Sequence, residues 1–330
     1  MKGKYYRMNF VEQIRRKDRF LKYCKWNPIV RKIRENRASK VITTLKVILV
    51  LPIVFFRYIS FLLPITEPCN FKYDYAIVAI IKNEGLYIKE WIEFHLLIGV
   101  QKFYIYDNGS TDNVKKILQP YINEGIVDYI YYPGKNKQCF AYNDAIEKHR
   151  YDVKYIAMID LDEFIVPMKS DSIDVVNTIL EKNKHYSGLG IHWYCFGSSG
   201  NVKRPTGNVL DNYLYRAEDN FKNNIAVKTI FNPRKVICVS NPHYPVYRHG
   251  YYGINENCHR TNWAIDFEIS AKFIRINHYL CKSQEECKAK FARGKADIDE
   301  PYSWDTFNEY DRNDVFDTRA RDLYHYLVEK

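Results

Sequence analysis

The feature that most restricts the fold of this chain is an alternation of apolar runs and helix-like segments between Phe71 and Pro167. Four runs are each long enough for one buried strand: Tyr75–Ile81, Lys102–Tyr106, Ile126–Tyr131 and Tyr155–Ile159. The segments between them have apolar residues at helical spacing: Ile88, Trp91, Ile92 and Leu96 before Gly99; Val114, Ile117 and Leu118 before Pro120; and Gln138–His149. Strands that alternate with helices predict an α/β fold with a mostly parallel, Rossmann-like sheet and flanking helices.

Polar clusters follow three of the four predicted strands directly. Lys82-Asn83-Glu84 follows the first strand, the turn from Asp107 to Asp112 follows the second, and Asp160 to Glu163 follow the fourth. Ligands of open α/β sheets bind at the carboxyl ends of the strands. We therefore expect a binding cleft where these three clusters meet.

Asp160 and Asp162 are two residues apart at a strand end, so their side chains point the same way. Two crowded carboxylates repel each other unless a cation lies between them, and hard oxygen ligands favour Mg²⁺ or Mn²⁺. Such an ion binds diphosphate oxygens and stabilises a departing diphosphate as a Lewis acid. The alternative is that Asp162 and Glu163 only cap a following turn.

The turn from Asp107 to Asp112 leads into a helix, with Ser110 or Thr111 as the expected N-cap. A helix start offers N–H groups to a phosphate or ribose, and Asp107 is placed to accept a hydrogen bond from a nucleobase. An ordinary turn is the alternative.

Two later stretches predict an acceptor surface and a further metal ligand. His192–Gly200 joins a strand end to a small-residue loop, and Trp193 in it is a candidate for stacking on a sugar, or else part of an aromatic core. Asn277-His278-Tyr279 follows the alternating strand predicted over Ala271–Ile276. His278 either completes the metal site as a neutral imidazole or is an ordinary satisfied polar residue. Ser283 and Glu286 then form a capping box that opens a helix to Arg293-Gly294.

The net charge of +11 is concentrated in an N-terminal arm. Residues 1–46 hold 15 Lys/Arg and 3 Asp/Glu, a charge of +12, whereas the remaining 284 residues hold 35 and 36, a charge of −1. An arm of this kind binds nucleic acid or an anionic membrane. Because the body is not basic, we expect no nucleic-acid partner.

Val47–Ile65 follows the arm and is apolar enough to enter a bilayer, but Pro52, Arg57 and Pro64 interrupt it. We expect an interfacial or re-entrant helix pair, with peripheral or monotopic attachment at the cytoplasmic face. The alternatives are a single span with a lumenal catalytic domain, or a buried packing hairpin.

The eight cysteines include no CxxC pair, which favours reduced thiols in the cytosol.

An ordered set of motifs resembles family 92 glycosyltransferases and their bacterial family-2-like relatives. It comprises Ile81-Lys82-Asn83-Glu84, Glu90-Trp91 with His95, Tyr106–Asp112, Gln138 with Tyr142-Asn143-Asp144, Asp160–Phe164, Trp193–Gly200, Lys228-Thr229-Ile230, Asn277-His278-Tyr279, Lys282-Ser283 and Arg293-Gly294. The resemblance implies a GT-A fold, a nucleotide-sugar donor (expected to be a UDP-sugar), a carbohydrate acceptor, a divalent cation and inversion to a β-glycoside, in polysaccharide or glycoconjugate synthesis.

Matched position by position, the resemblance gives Asp160 and Asp162 to catalysis and metal binding, with His278 as the third ligand. The expected donor residues are Asn83, Glu84, Asp107, Ser110, Asp112, Gln138 and Lys228; the expected acceptor residues are Trp193, Ser198 and Ser199. Inversion needs a carboxylate base, and the candidates are Asp211, Asp219, Asp266 and Glu268.

We divide the chain into the arm and apolar segment (1–70), a GT-A domain (71–300) with a nucleotide-sugar half (71–167) and an acceptor half (168–300), and a helical tail (301–330).

Two other classes of protein remain open. One is a non-catalytic glycan- or membrane-binding protein on a transferase scaffold, and the other is a nucleotidyltransferase, which usually carries a Gly-rich basic loop that Lys82-Asn83-Glu84-Gly85 does not resemble.

Overall fold

The computed structural model describes residues 19–35, 39–261, 263–294 and 303–330. Residues 19–26 are helical, and the further helices are α1 (Pro28–Glu35), α2 (Lys40–Ile59), α3 (Ile88–Leu97), α4 (Val114–Asn123), α5 (Gln138–His149), α6 (Val175–Leu180), α7 (Val209–Asn212), α8 (Gln284–Arg293), α9 (Trp304–Tyr310) and α10 (Arg319–Glu329). The strands are β1 (Tyr73–Ile81), β2 (Lys102–Asp107), β3 (Val127–Tyr131), β4 (Val153–Met158), β5 (Glu163–Pro167), β6 (Tyr186–Cys195), β7 (Tyr215–Arg216), β8 (Val227–Phe231), β9 (Val236–Val239), β10 (Pro245–Tyr247), β11 (Tyr252–Ile254), β12 (Ile274–His278) and β13 (Val315–Phe316).

One large, mostly parallel sheet organises the chain. Its strand order is β3-β2-β1-β4-β8-β6-β12-β5, and β11 pairs with β6. The first four strands are parallel, whereas β8 is antiparallel to both β4 and β6. The ends of β1, β2 and β4 therefore lie at one edge, as the polar clusters predict. The α/β fold of GT-A type is confirmed.

The sheet has a separate apolar core on each face. Residues 75–81 of β1 are all buried, and alternate side chains point to opposite faces. Ile77 packs in one core with Trp91 of α3, while Val78 packs in the other with Tyr142 of α5. A strand covered on both faces needs a continuous apolar run, which is why this one was recognisable from sequence.

Three local expectations were wrong. Helix α4 does not stop before Pro120 but runs to Asn123, because Tyr121 and Ile122 pack against the core and offset the lost hydrogen bond. Its N-cap is Asn113, since Ser110 and Thr111 instead bind the loop after β1.

The strand predicted over Ala271–Ile276 also differs from the structure. It is Ile274–His278, so His278 lies in the strand rather than after it. Phe273 N and Ile274 N donate to the buried Glu256 carboxylate, 2.9 and 3.2 Å away, and these contacts displace the start of the strand.

The apolar segment forms one helix rather than a helix pair. Helix α2 runs through Pro52, and a single 3-10 turn continues it to Leu62. The stretch Lys40–Leu62 is long and apolar enough to cross a membrane, and only 11% of its most apolar window is buried. Arg57 does not face the apolar side, because it pairs with Glu147 of α5. Residues 1–18 and 36–38 of the basic arm lie outside the described residues.

The end of this segment is bound to the catalytic body. Phe61 is buried against Ile237 and Cys238. The guanidinium of Arg248 donates to the carbonyl oxygens of residues 60, 61 and 63 at 2.8–2.9 Å. All eight cysteines are free thiols in this structure.

The predicted C-terminal tail is likewise attached to the body. It consists of α9, β13 and α10, and its Asp317 accepts two hydrogen bonds from Arg275 and one from Arg216, all at 2.7–2.8 Å. These guanidinium groups hold the pKa of Asp317 at about 2 against the effect of burial. Residues 295–302, at the boundary of the predicted tail, lie outside the described residues.

Candidate active site

The Asp160-Leu161-Asp162 turn joins β4 to β5 at the predicted edge. Leu161 is buried and fixes the turn, while Asp160 N donates to Glu163 Oε2 at 2.8 Å and Glu163 N to Asp160 O at 3.1 Å. The Asp160 side chain is 35% exposed, so it opens into the cleft. The Glu163 carboxylate therefore closes the turn that precedes it rather than a following turn, and the Asp160 side chain is left partly open to solvent.

Asp160 is held by two predicted donor-site residues. Its Oδ1 accepts from Gln138 Nε2 at 2.6 Å, and its Oδ2 from Lys228 Nζ at 2.8 Å. Burial alone would raise the pKa of Asp160, but the Lys228 ammonium lowers it on balance. Lys228 is 1% exposed and lies 3.5 Å from Glu163 Oε2 as well, and the two carboxylates raise its pKa against the effect of burial. Glu163 is fully buried and its pKa is raised well above the usual range by desolvation.

Asp162 is buried and has a different cation as partner. Its Oδ2 contacts the ammonium of Lys290 from α8 and lies 3.6 Å from His278 Nε2. Burial would raise the pKa of Asp162, but Lys290 and His278 hold it well below the usual range. Burial lowers the pKa of His278, so its imidazole is neutral near pH 7. The structure thus brings together Asp162 and His278, two of the three residues for which we predict metal binding.

Three aromatic rings pack together beside these carboxylates. The Trp193 ring lies 4.1 Å from that of His278 and 5.0 Å from that of His243. Trp193 is only 9% exposed, so it lies beneath the cleft surface. The pKa of His243 is lowered to about 3, first by burial and then by Lys228.

The other predicted donor residues hold two loops together. Asn83 has a positive φ of 54°, its N–H donates to Ser110 Oγ at 2.9 Å, and its side chain accepts from Thr111 N at 2.7 Å. Asp107 accepts from Ser110 N at 2.8 Å and from the Tyr129 hydroxyl.

Asp112 and Glu84 complete this arrangement. Asp112 accepts from Gly85 N at 2.8 Å, and Arg293 of α8 binds Glu84 and the carbonyl oxygens of Lys82 and Asn83 at 2.8 and 2.9 Å. Most polar side chains of the loops after β1 and β2 are thus bound to one another or to α8, and these bonds fix the shape of the loops at the carboxyl edge of the sheet.

The predicted acceptor loop packs against the C-terminal segment. Ser198 is 2% exposed and its N–H donates to Asp311 at 2.6 Å, while Ser199 N donates to Asn313 at 2.7 Å. Ser199 Oγ accepts from Leu214 N at 3.0 Å. The structure therefore gives both serines contacts that hold the loop against the C-terminal segment.

The four candidate bases have different surroundings. Asp211 contacts His325 at 2.7 Å, Asp219 contacts Arg216 at 2.8 Å and is 74% exposed, and Glu268 pairs with His259. Asp266 accepts from Asn255 at 2.9 Å, and its own N–H donates to Ile225 O at 2.8 Å, next to the start of β8, the strand that carries Lys228. Asp266 is thus tied to the turn that precedes β8.

Sequence reasoning did not assign site roles to Lys290, Arg293, Glu163 or His243. Lys290 and Arg293 are three residues apart, so they share a face of α8. That spacing, after a capping box that the structure confirms, was the available signal. Nothing in the sequence near His243 indicated that a loop 80 residues later in the chain would return to Asp160.

The fold and the cleft together define a glycosyltransferase of GT-A type. The chain belongs to glycosyltransferase family 92, whose sequence model matches residues 79–312. A family 92 protein of rice (Oryza sativa subsp. japonica) is 25% identical over 221 residues, which cover 66% of this chain and 35% of that protein. A galactan beta-1,4-galactosyltransferase of Arabidopsis thaliana is 31% identical over 137 residues, covering 35% of this chain and 25% of the relative.

The chain thus spans well under half the length of either relative. A solved structure, S. aureus TarS 1-349 in complex with UDP-GlcNAc, aligns with a TM-score of 0.37 and 10% identity over 77% of this chain and 71% of that chain.

Proposed function

We propose that this chain transfers a sugar from a nucleoside diphosphate sugar, with UDP as the nucleotide, to a carbohydrate acceptor. The observation that carries the proposal is the pair of aspartates after β4, each in contact with a lysine: Asp160 with Lys228 and Asp162 with Lys290. Carboxylates and ammonium groups at the carboxyl edge of a parallel sheet provide the charges that a diphosphate and its counter-cation require.

We further propose that Mn²⁺ or Mg²⁺ binds at Asp160, Asp162 and His278. The donor set suits such an ion, because both carboxylates stay ionised, the imidazole is neutral, and His278 Nδ1 is buried with no hydrogen-bond partner among the described residues. Within the described ranges, no three His, Cys, Asp or Glu side chains are already close enough to hold a metal. The ligands therefore have to converge, and Lys290 has to leave Asp162. Once bound, the ion supplies Lewis-acid stabilisation of the departing diphosphate.

The chain's own residues supply the remaining steps of an inverting transfer. The acceptor oxygen forms a bond to C1 of the sugar while the bond from C1 to the diphosphate breaks, and the acceptor proton passes to a carboxylate. Asp266 is the first base to test, because its N–H donates to Ile225 O, two residues before β8, the strand that carries Lys228. Lys228 and Lys290 place positive charge where the diphosphate leaves.

Nucleotide binding tests the proposal directly. Calorimetric titration of the full chain with UDP in the presence of Mn²⁺ should give a measurable dissociation constant, and Asp162→Asn should weaken it about 10-fold or more, which is about 1.4 kcal/mol. Asp152→Asn, an exposed aspartate before β4, is the matched control and should leave binding unchanged. No heat with any nucleoside diphosphate, or equal binding by Asp162→Asn, would contradict the proposal.

We also propose that α2 attaches the protein to a membrane. The apolar side chains of Leu45, Leu49 and Phe56 on this helix are 56%, 76% and 72% exposed. Its other side packs on the body through Val54 and, beyond its end, Phe61. The +12 charge of residues 1–46 adds attraction to anionic lipid, the cytoplasmic face being the expected side.

A further inference from the structure

A short segment on the acceptor side presents a row of apolar side chains to solvent. Trp263, Ile265 and Phe267 are 47%, 40% and 79% exposed. The residues between them are turned inward: Ala264 is 9% exposed, and the side chain of Asp266 is 16% exposed. This alternation is the period of an extended strand with one face outward. We call Trp263, Ile265 and Phe267 the apolar row.

The apolar row is rigidly held by the main chain. Val227 N donates to Ala264 O at 3.0 Å, and Asp266 N donates to Ile225 O at 2.8 Å. These two bonds fix the backbone of the segment so that the three side chains point outward. An apolar surface kept exposed in this way is typical of a contact site for a partner or a membrane.

The apolar row adjoins the part of the chain that we place at the membrane. The ammonium of Lys22 lies 5.3 Å from the centre of the Trp263 ring. Two residues earlier, the Phe20 ring packs against Phe55 and Tyr58 at the end of α2, with centroids 5.8 and 5.1 Å apart. Residues 19–26 thus lie between the exposed apolar side of α2 and the apolar row.

The charge around the apolar row fits an anionic lipid surface. Arg19, Lys22 and Arg260 line the groove beside Trp263. Tryptophan with flanking Lys and Arg is enriched at the headgroup level of membranes, and basic groups there are attracted to anionic lipid.

We propose that the apolar row enters the headgroup region of an anionic bilayer and forms a second membrane contact beside α2. The inference rests on the membrane attachment proposed for α2 and adds an orientation to it. Two contacts at separate points of the chain, α2 and the apolar row, would fix how the body is oriented on the bilayer.

Quenching of Trp263 by lipid tests this proposal. The full chain is reconstituted into vesicles of phosphatidylcholine and phosphatidylglycerol that carry bromine near the headgroup end of the acyl chains. Brominated vesicles should quench the wild type more than they quench Trp263→Phe. Trp304→Phe, which removes a 37% exposed tryptophan from α9, should be quenched as the wild type is.

A second variant removes the contact but keeps the probe. In Ile265→Ser/Phe267→Ser, the quenching assigned to Trp263 should fall about two-fold or more, because two of the three apolar side chains that stabilise the contact are gone. Phe316→Ser on β13, where the side chain is 58% exposed, is the matched control and should change nothing.

The outcomes separate this inference from the proposals on which it rests. If the full chain does not sediment with vesicles, the attachment of α2 and the apolar-row contact fail together. If it sediments while Trp263 stays unquenched, or if soluble oligosaccharide and not lipid changes the Trp263 signal, only the apolar-row contact is overturned. Ile265→Ser/Phe267→Ser should hydrolyse donor in detergent at the wild-type rate, so a loss of that activity would count against the assigned role.

Discussion

The ammonium of Lys290 contacts Asp162 Oδ2, the same oxygen that His278 Nε2 approaches to 3.6 Å. A cation from helix α8 therefore lies at the carboxylate that we expect to hold a divalent metal. A metal ion that binds at Asp162 either displaces this ammonium or is repelled by it. Helix α8 also carries Arg293, which binds the loop after β1, so one helix connects both halves of the cleft.

Removal of the Lys290 charge should strengthen metal binding. In Lys290→Met, the apparent dissociation constant for Mn²⁺ should fall about 10-fold, or about 1.4 kcal/mol, because a like charge beside the ion is lost. Lys288→Met on the exposed side of α8 is the matched control. A Lys290→Met variant that binds Mn²⁺ no more tightly than Lys288→Met would show that Lys290 does not compete with the ion.

Removal of His278 should have the opposite effect. If its imidazole is the third ligand, His278→Ala should weaken Mn²⁺ binding about 10-fold or more. The measurement is a Mn²⁺ titration, with a thermal melt of the same sample to confirm that the variant is folded. Unchanged binding by a folded His278→Ala would leave His278 as an ordinary buried polar residue.

Glu90 should make stability depend on pH. Its buried carboxylate accepts from Val209 N and Leu210 N at 2.8 and 2.9 Å, and burial raises its pKa to about 7. Between pH of about 4.5, the usual pKa of a Glu carboxyl, and pH of about 7, Glu90 is protonated in the folded chain but ionised in the unfolded chain. The free energy of unfolding therefore falls as the pH rises through this range, by about 3 kcal/mol at most. Glu90→Gln should remove this dependence, whereas Glu93→Gln on the same helix should keep it. Equal pH dependence of the melting temperature in the wild type and Glu90→Gln would contradict the assignment.

Detergent should release the full chain from membranes more completely than salt does. Salt screens the basic arm but does not weaken apolar burial of α2. Recovery of the full chain in the soluble fraction of lysed cells would contradict membrane attachment.

Two shortened chains should separate the anchor from the body. A chain that begins at Lys40 keeps the carbonyl partners of Arg248, but one that begins at Asn70 loses them. The shorter chain should be soluble and still act on its donor, but it should be less stable by about 2–5 kcal/mol, because the Arg248 guanidinium loses three acceptors and keeps the carbonyl oxygen of Arg234, 3.2 Å away. Equal melting temperatures of the two shortened chains would show that residues 40–69 do not stabilise the body.

The sequence revealed those parts of the fold that depend on local periodicity. β1 is buried on both faces, so it is a continuous apolar run, and the Ser283 capping box satisfies its own backbone groups. In contrast, Pro120 is kept inside α4 by packing of Tyr121 and Ile122 on a distant core, which no local rule records.

The cleft was predictable where its residues follow a strand directly. Asp160 and Asp162 are adjacent in sequence to β4, so their position follows from the strand order. Lys290 and His243 reach the site by long-range folding of separate elements, and His243 stands beside Asp160 only because its loop packs on β8. The roles assigned to donor and acceptor residues stay predictions.

Release of nucleoside diphosphate from a donor tests the central claim most directly. The full chain is incubated in detergent with a panel of nucleotide sugars, beginning with UDP-galactose because a relative is named a galactan galactosyltransferase. The account predicts release of UDP with Mn²⁺ or Mg²⁺ and an acceptor glycan, and loss of that release in Asp160→Asn, in Asp162→Asn and with excess EDTA. No release from any donor with any divalent cation, or full release by either folded aspartate variant, would contradict it.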